Sequence, residues 1–137
     1  MIRDLVHDPF FLGIKSKPAT KLDAPAAQDL LDTLKAHREE CVGMAANMIG
    51  KSISIIAFND SGVFTLMYNP EIIGKSMPYE TKEGCLSLLG GPRKTTRYKT
   101  IKVKFQDKGF KERTKTYSEF TAQIIQHEID HCRGVLI

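Results

Sequence analysis

The chain has 137 residues, 42% hydrophobic and 26% charged, with a formal charge of +4 at pH 7 and a pI near 9.0. These are ordinary proportions for one globular domain, residues 1–137, and no apolar run approaches the roughly 18 residues of a membrane span. The early acid Asp4 and the lack of an apolar leader argue against a signal peptide, so a cytoplasmic protein is expected, in which Cys41, Cys85 and Cys132 read as buried, reactive or metal-bound thiols rather than a disulfide framework.

In chain order, Asp23 is a candidate N-cap for a helix opening with Ala24-Pro25. Its apolar positions Ala27, Leu30, Leu31 and Leu34 predict a run to about Glu39. The small-residue stretch Cys41–Gly50, CVGMAANMIG, breaks that periodicity. Residues 52–58 and 63–68 read as strands around the turn Asn59-Asp60-Ser61-Gly62, and Asn69-Pro70 is expected to end the second. A less regular stretch with Glu83-Gly84-Cys85-Leu86-Ser87 follows, and Gly90-Gly91-Pro92 predicts a loop. Ile101, Val103 and Phe105 alternate with Lys102 and Lys104, as in a half-buried strand. A second strand is predicted from about Phe110 to Tyr117. Ser118 is a candidate N-cap for a helix from Glu119 to about Arg133, closed by Gly134. Helix, antiparallel strands, helix make an α+β fold, with antiparallel sheets packed around the C-terminal helix. The basic residues between Arg93 and Lys115 read as the solvated face of that sheet. No nucleic-acid motif accompanies them.

The last helix carries the chemistry. Phe120, Ile124, His127 and His131 follow steps of 4, 3 and 4, so they share one stripe that should meet the sheet. Imidazoles on a buried face need partners, and a divalent metal satisfies both. Glu128 follows the first histidine, where a general base can approach a metal-bound water. HExxH supplies two ligands, whereas an open catalytic site uses three protein ligands plus water. Cys132 points about 100° away from His131 round the helix and reads as core. His37 falls in a polar part of the first helix. Composition leaves Cys41 and Cys85 open as the third ligand.

Three motifs resemble those of the peptide deformylases. Glu83–Ser87 reads EGCLS and His127–His131 reads HEIDH, both intact. Cys41–Met48 stands where that family has roughly GxGxAAxQ, with Cys41 for the first glycine and Met48 for the glutamine. The resemblance implies that Cys85 is the third ligand beside His127 and His131, holding one Fe(II) or Zn(II). It implies hydrolysis of the N-formyl group from the formyl-methionine of newly made polypeptides, with Glu128 passing a proton to the leaving amine. It also implies an oxyanion site shared by the metal, the Leu86 backbone N–H and the residue at position 48. Met48 has no donor to offer there, and losing one such donor costs about 10²–10³ in rate. Adjacent Asn47 has a donor amide.

By the same resemblance Val42, Gly43, Phe120, Gln123 and Ile124 line the methionine pocket, with Gln123 its polar member. Asp130 would steady the site through an arginine such as Arg97. The implied partners are N-formylmethionyl peptides or nascent chains, with weak ribosome proximity, no membrane and no specific nucleic acid. Many bacterial members continue into a C-terminal helix, whereas this chain stops three residues past Gly134. Because of Cys41 and Met48, a catalytically weak homologue that binds metal and peptide N-termini is the alternative reading. A zinc peptidase is disfavoured, since EGCLS fills the third-ligand place and the chain is short for a peptidase with its own cleft.

Overall fold

A computed structural model describes residues 1–85 and 91–136. Its main elements are a helix α1 (Ala24–Ala36), five strands, and a helix α2 (Glu119–Cys132). The strands are β1 (Gly43–Ala45), β2 (Ile55–Asp60), β3 (Val63–Glu83), β4 (Arg93–Gln106) and β5 (Glu112–Ser118). They form one antiparallel sheet in sequential order β1-β2-β3-β4-β5. The chain is therefore α+β, with one five-stranded sheet among the described residues where several sheets were expected. No helix is long and apolar enough to cross a membrane among those residues.

The sheet is covered on both faces near β2. Ile55 and Ala57 pack with Leu30, Leu31 and Leu34 of α1, whereas Ile56 and Phe58 pack with Ile124, Ile125 and Ile129 of α2. A strand buried on both sides has no need of a polar alternate row, which is why Ile55-Ile56-Ala57-Phe58 is continuously apolar. β4 meets α2 with one face only. Ile101, Val103 and Phe105 are buried while Lys102 and Lys104 are exposed, as the alternation predicts.

Several boundaries differ from expectation, each for a local reason. Asp23 does not cap α1; its carboxylate reaches back to accept the Thr20 N–H at 2.8 Å, in a capping box around a 3-10 turn. α1 ends at Ala36 rather than Glu39, because the His37–Glu40 run has no apolar residue to bury. Residues 52–54 are drawn off β2 by Lys17, whose N–H and C=O bond to Ser52 O and Ser54 N. The β2–β3 turn is only Ser61-Gly62, both left-handed (φ 50° and 96°), as a two-residue hairpin requires. β5 begins at Glu112, because Phe110 (φ 60°) still belongs to the turn organised by Asp107. Ser118 makes no capping hydrogen bond; a left-handed step at Glu119 (φ 54°) turns β5 into α2. Gly134 (φ 76°) ends α2 as expected, and a Cβ there would lie 2.5 Å from Gly13 O.

The largest difference is at Asn69-Pro70, which does not end a strand. β3 continues through two register shifts, between Tyr68 and Glu71 and between Ile72 and Gly74, and delivers Glu83 to the far end of the sheet. Asn69 makes this possible by adopting φ 52°, a conformation asparagine tolerates better than most residues. Its Oδ1 accepts the Ala19 N–H at 2.7 Å, and its Nδ2 donates to Ala19 O and Gln106 Oε1, both at 3.0 Å. Asn69→Ala should therefore destabilise the fold by about 2–4 kcal/mol in urea unfolding, since it strands part-buried polar partners and strains the bulge. A loss below about 0.5 kcal/mol would contradict this role.

Candidate metal centre

α2 presents His127 and His131 one turn apart on its buried side. Their Nε2 atoms lie 3.1 Å apart, aimed at the same point. Cys85 lies two residues past the end of β3, and its Sγ joins them so that all three donor atoms lie within 4.8 Å of one another. One sulfur and two imidazole nitrogens suit Zn(II) and Fe(II) alike. Bond lengths of roughly 2.0–2.3 Å in a tetrahedral site put ligand atoms about 3.3–3.8 Å apart, so the cluster fits a single ion with a small closure. Among the described residues no other group of three histidine, cysteine or acidic side chains converges in this way.

Orientation of the first histidine comes from Glu83. Its Oε1 lies 2.9 Å from His127 Nδ1, which leaves Nε2 to face the site. Glu83 is itself held from three sides. Arg97 Nε reaches both carboxylate oxygens at 3.0 Å, Arg97 Nη2 donates to Oε1 at 2.7 Å, and Gln123 Nε2 donates to Oε2 at 2.9 Å. Burial alone would raise the Glu83 pKa, but the bonds from His127, Arg97 and Gln123 reverse this and hold it at about 2. Arg97 also donates from Nη1 to Asp130 Oδ2 at 2.6 Å, so the expected link between Asp130 and the site is made through this guanidinium. The two histidines are pushed in opposite directions. Burial, then the neighbouring His127, lower His131. For His127 burial acts the same way, but Cys85, Glu128 and Glu83 outweigh it and raise the pKa.

Glu128 is the other carboxylate at the centre. It is buried, its Oε1 has no protein hydrogen-bond partner, and burial raises its pKa to about 7. Gly43 explains how a glutamate fits there. A Cβ on Gly43 would lie 2.8 Å from Ile124 Cγ2 and 2.9 Å from Glu128 Oε2, so only glycine lets β1 approach α2 this closely. Cys41 is not left-handed, so this backbone does not need a glycine there. Its Sγ donates to Gly43 O at 2.9 Å, and burial, then Glu128, raise its pKa to about 12.

An open cavity of about 450 Å³ adjoins these groups. Val42, Gly43, Phe120, Gln123 and Ile124 line it together with Cys41, Cys85, His127 and Glu128. Phe120 is 60% exposed at its mouth, while Ile124 is buried. Gln123 turns its amide toward Glu83 and accepts from the Tyr79 hydroxyl at 3.4 Å, so this wall of the cavity is tied to the His127 support. Met48 does not line the cavity. It is 1% exposed in the α1-side core, and its Sδ accepts the Ala45 N–H at 3.4 Å. Leu86, expected to supply a backbone donor, lies outside the described residues. Cys132 is buried in the α2-side core, as its helix position predicts, and His37 pairs with Glu40 at 2.9 Å.

Gln126 has a role that sequence reasoning missed. Its Oε1 accepts the Tyr98 N–H at 2.9 Å and its Nε2 donates to Tyr98 O at 2.8 Å, clamping α2 to β4 as a strand would. A polar residue on the stripe facing an alternating strand was the only signal.

The polypeptide deformylase family profile matches residues 4–137. The chain belongs to that family. A peptide deformylase of Clostridium beijerinckii is 50% identical over 137 residues, the full length of both chains. One of Dictyoglomus thermophilum is 37% identical, covering 100% of this chain and 91% of that one. Among solved structures, the peptide deformylase of Legionella pneumophila superposes with a TM-score of 0.88 at 31% identity, over 99% of this chain and 83% of that one. The peptide deformylase of Thermotoga maritima gives 0.88 at 28% identity, over 99% and 95%.

Removing Arg97 leaves Glu83 and Asp130 without their shared cation, one of them buried. Arg97→Leu should therefore lower stability by about 3–5 kcal/mol in chemical unfolding, more than an exposed ion pair is worth. A loss under 1 kcal/mol (about the value of a surface pair) would show that Arg97 does not organise this cluster.

Proposed function

We propose that this chain hydrolyses the N-formyl group from the N-terminal formyl-methionine of newly made polypeptides, using one divalent metal held by Cys85, His127 and His131. The observation that carries the reading is the convergence of those three donors near the buried carboxylate of Glu128, with Cys85, His127 and Glu128 lining an open cavity. Family membership and the 50% identical peptide deformylase support the same reaction.

When bound, Fe(II) or Zn(II) supplies Lewis-acid activation of water and of the formyl oxygen. The chain's own residues do the rest. Glu128 takes a proton from the attacking water and gives it to the amide nitrogen as the C–N bond breaks, releasing formate and a free amine. Its raised pKa suits a group that must both accept and return a proton near neutral pH. Val42, Phe120 and Ile124 offer apolar surface to a methionine side chain, and Gly43 keeps Glu128 at the cavity wall. The Leu86 backbone N–H is the further donor for the developing oxyanion. The substrate is a nascent chain in the cytoplasm, with only weak ribosome proximity, and residues 1–137 act as one catalytic domain.

A second reading, a metal- and peptide-binding homologue of low turnover, is favoured by one observation. Met48 lies in the core and offers the oxyanion no donor.

Formate release from a formyl-Met tripeptide by the Fe(II)-loaded protein separates the two; binding of the peptide without release would favour the second. Glu128→Ala should keep its metal and lose about 10²–10⁴ in kcat. Cys85→Ser should lose most of the metal, and full occupancy in that variant would reject Cys85 as a ligand. Gly43→Ala should keep the fold but displace Glu128, lowering kcat about 10²-fold, and wild-type turnover there would sink the close-approach argument.

A further inference from the structure

The two histidines differ in their support. His127 Nδ1 faces Glu83, whereas His131 Nδ1 is buried with no protein partner. With Nε2 as ligand, the proton of a neutral His131 must stand on Nδ1, and a buried N–H without an acceptor costs about 1–3 kcal/mol. Asn47 carries the complementary deficit. It is 1% exposed, and its Oδ1 also has no protein partner. These two residues already touch: Asn47 Nδ2 donates to His131 O at 2.8 Å. The same carbonyl accepts the Gly134 N–H at 3.1 Å, so Asn47 completes the cap of α2 at the turn that carries His131. Its amide is thereby committed away from the cavity, which it does not line.

We propose that Asn47 is a positioning residue for the metal centre, its Oδ1 accepting the His131 Nδ1–H through one buried water. This rests on reading His131 as a metal ligand. One asparagine then fixes both the backbone and the ring of the second histidine, as Glu83 fixes the ring of the first. Ser16 Oγ is a further buried oxygen without a protein partner near this end of α2, since Ser16 N–H donates to Cys132 O at 2.8 Å. It is the rival acceptor.

The test measures Zn(II) affinity by chelator competition in the full chain. Asn47→Ala should weaken zinc binding about 10–100-fold, the usual effect of removing a ligand's outer partner. Asn47→Asp keeps an acceptor while losing the bond to His131 O, so it should recover much of that loss; a role in capping alone predicts that it is no better than Asn47→Ala. Ser16→Ala should leave the affinity unchanged. An exchange-protected His131 Nδ1–H in ¹⁵N spectra of the zinc-loaded wild type is expected, and it can be sought even if the variants fail to fold. The proposal is overturned by unchanged affinity in Asn47→Ala, by a loss confined to Ser16→Ala, by no recovery in Asn47→Asp, or by an unprotected Nδ1–H. Its failure is distinct from failure of the metal assignment, which would appear as zinc retained in Cys85→Ser.

Discussion

The buried carboxylate of Glu83 is the constraint on which the centre depends. It ends β3 two residues before Cys85, bonds to Arg97 of β4, and bonds to Gln123 and His127 of α2. Three elements therefore meet at one charged group, and two of the three candidate ligands are fixed by it. A buried carboxylate is costly unless charge and hydrogen bonds surround it. Here Arg97, Gln123 and His127 surround it, and Arg97 passes the restraint on to Asp130, inside the HExDH sequence. The long β3 strand and its two irregularities serve this delivery, because a strand ended at Tyr68 would leave Glu83 and Cys85 far from α2.

A second constraint is steric. β1 and α2 approach so closely at Gly43 that Glu128 fits only because no Cβ intervenes. The neighbouring residues of that stretch share the work unequally. Cys41 and Val42 line the cavity, Met48 fills the core, and Asn47 ties the stretch to the end of α2. The departures from the family pattern thus differ in consequence. Cys41 is accommodated by an ordinary backbone, while Met48 replaces a polar group with a core side chain.

Regular elements were legible where one periodicity ran unbroken. α2 shows the 3.6-residue stripe and a terminal glycine, and β4 shows strict alternation. β3 was cut short because its pattern changes face at each register shift, and an Asn-Pro pair inside a bulge looks the same in sequence as one in a turn. The histidine pair and Glu128 were legible from helix spacing, whereas the third ligand was legible only through motif resemblance, since composition left Cys41 and Cys85 open. The Glu83 network, the Gln126 clamp and the Gly43 contact depend on pairs 14 to 85 positions apart, and no local pattern encodes which side chains will meet. The direction of Asn47 belongs to the same class, since its partner lies 84 positions away.

Cys85, His127 and His131 are proposed to close on one metal ion. X-ray absorption fine structure of the zinc-loaded protein tests this most directly. One sulfur scatterer at about 2.3 Å and imidazole nitrogens at about 2.0–2.1 Å, with outer-shell signals for two rings, are expected. A shell of oxygen and nitrogen without sulfur, or one without the two imidazoles, would contradict it.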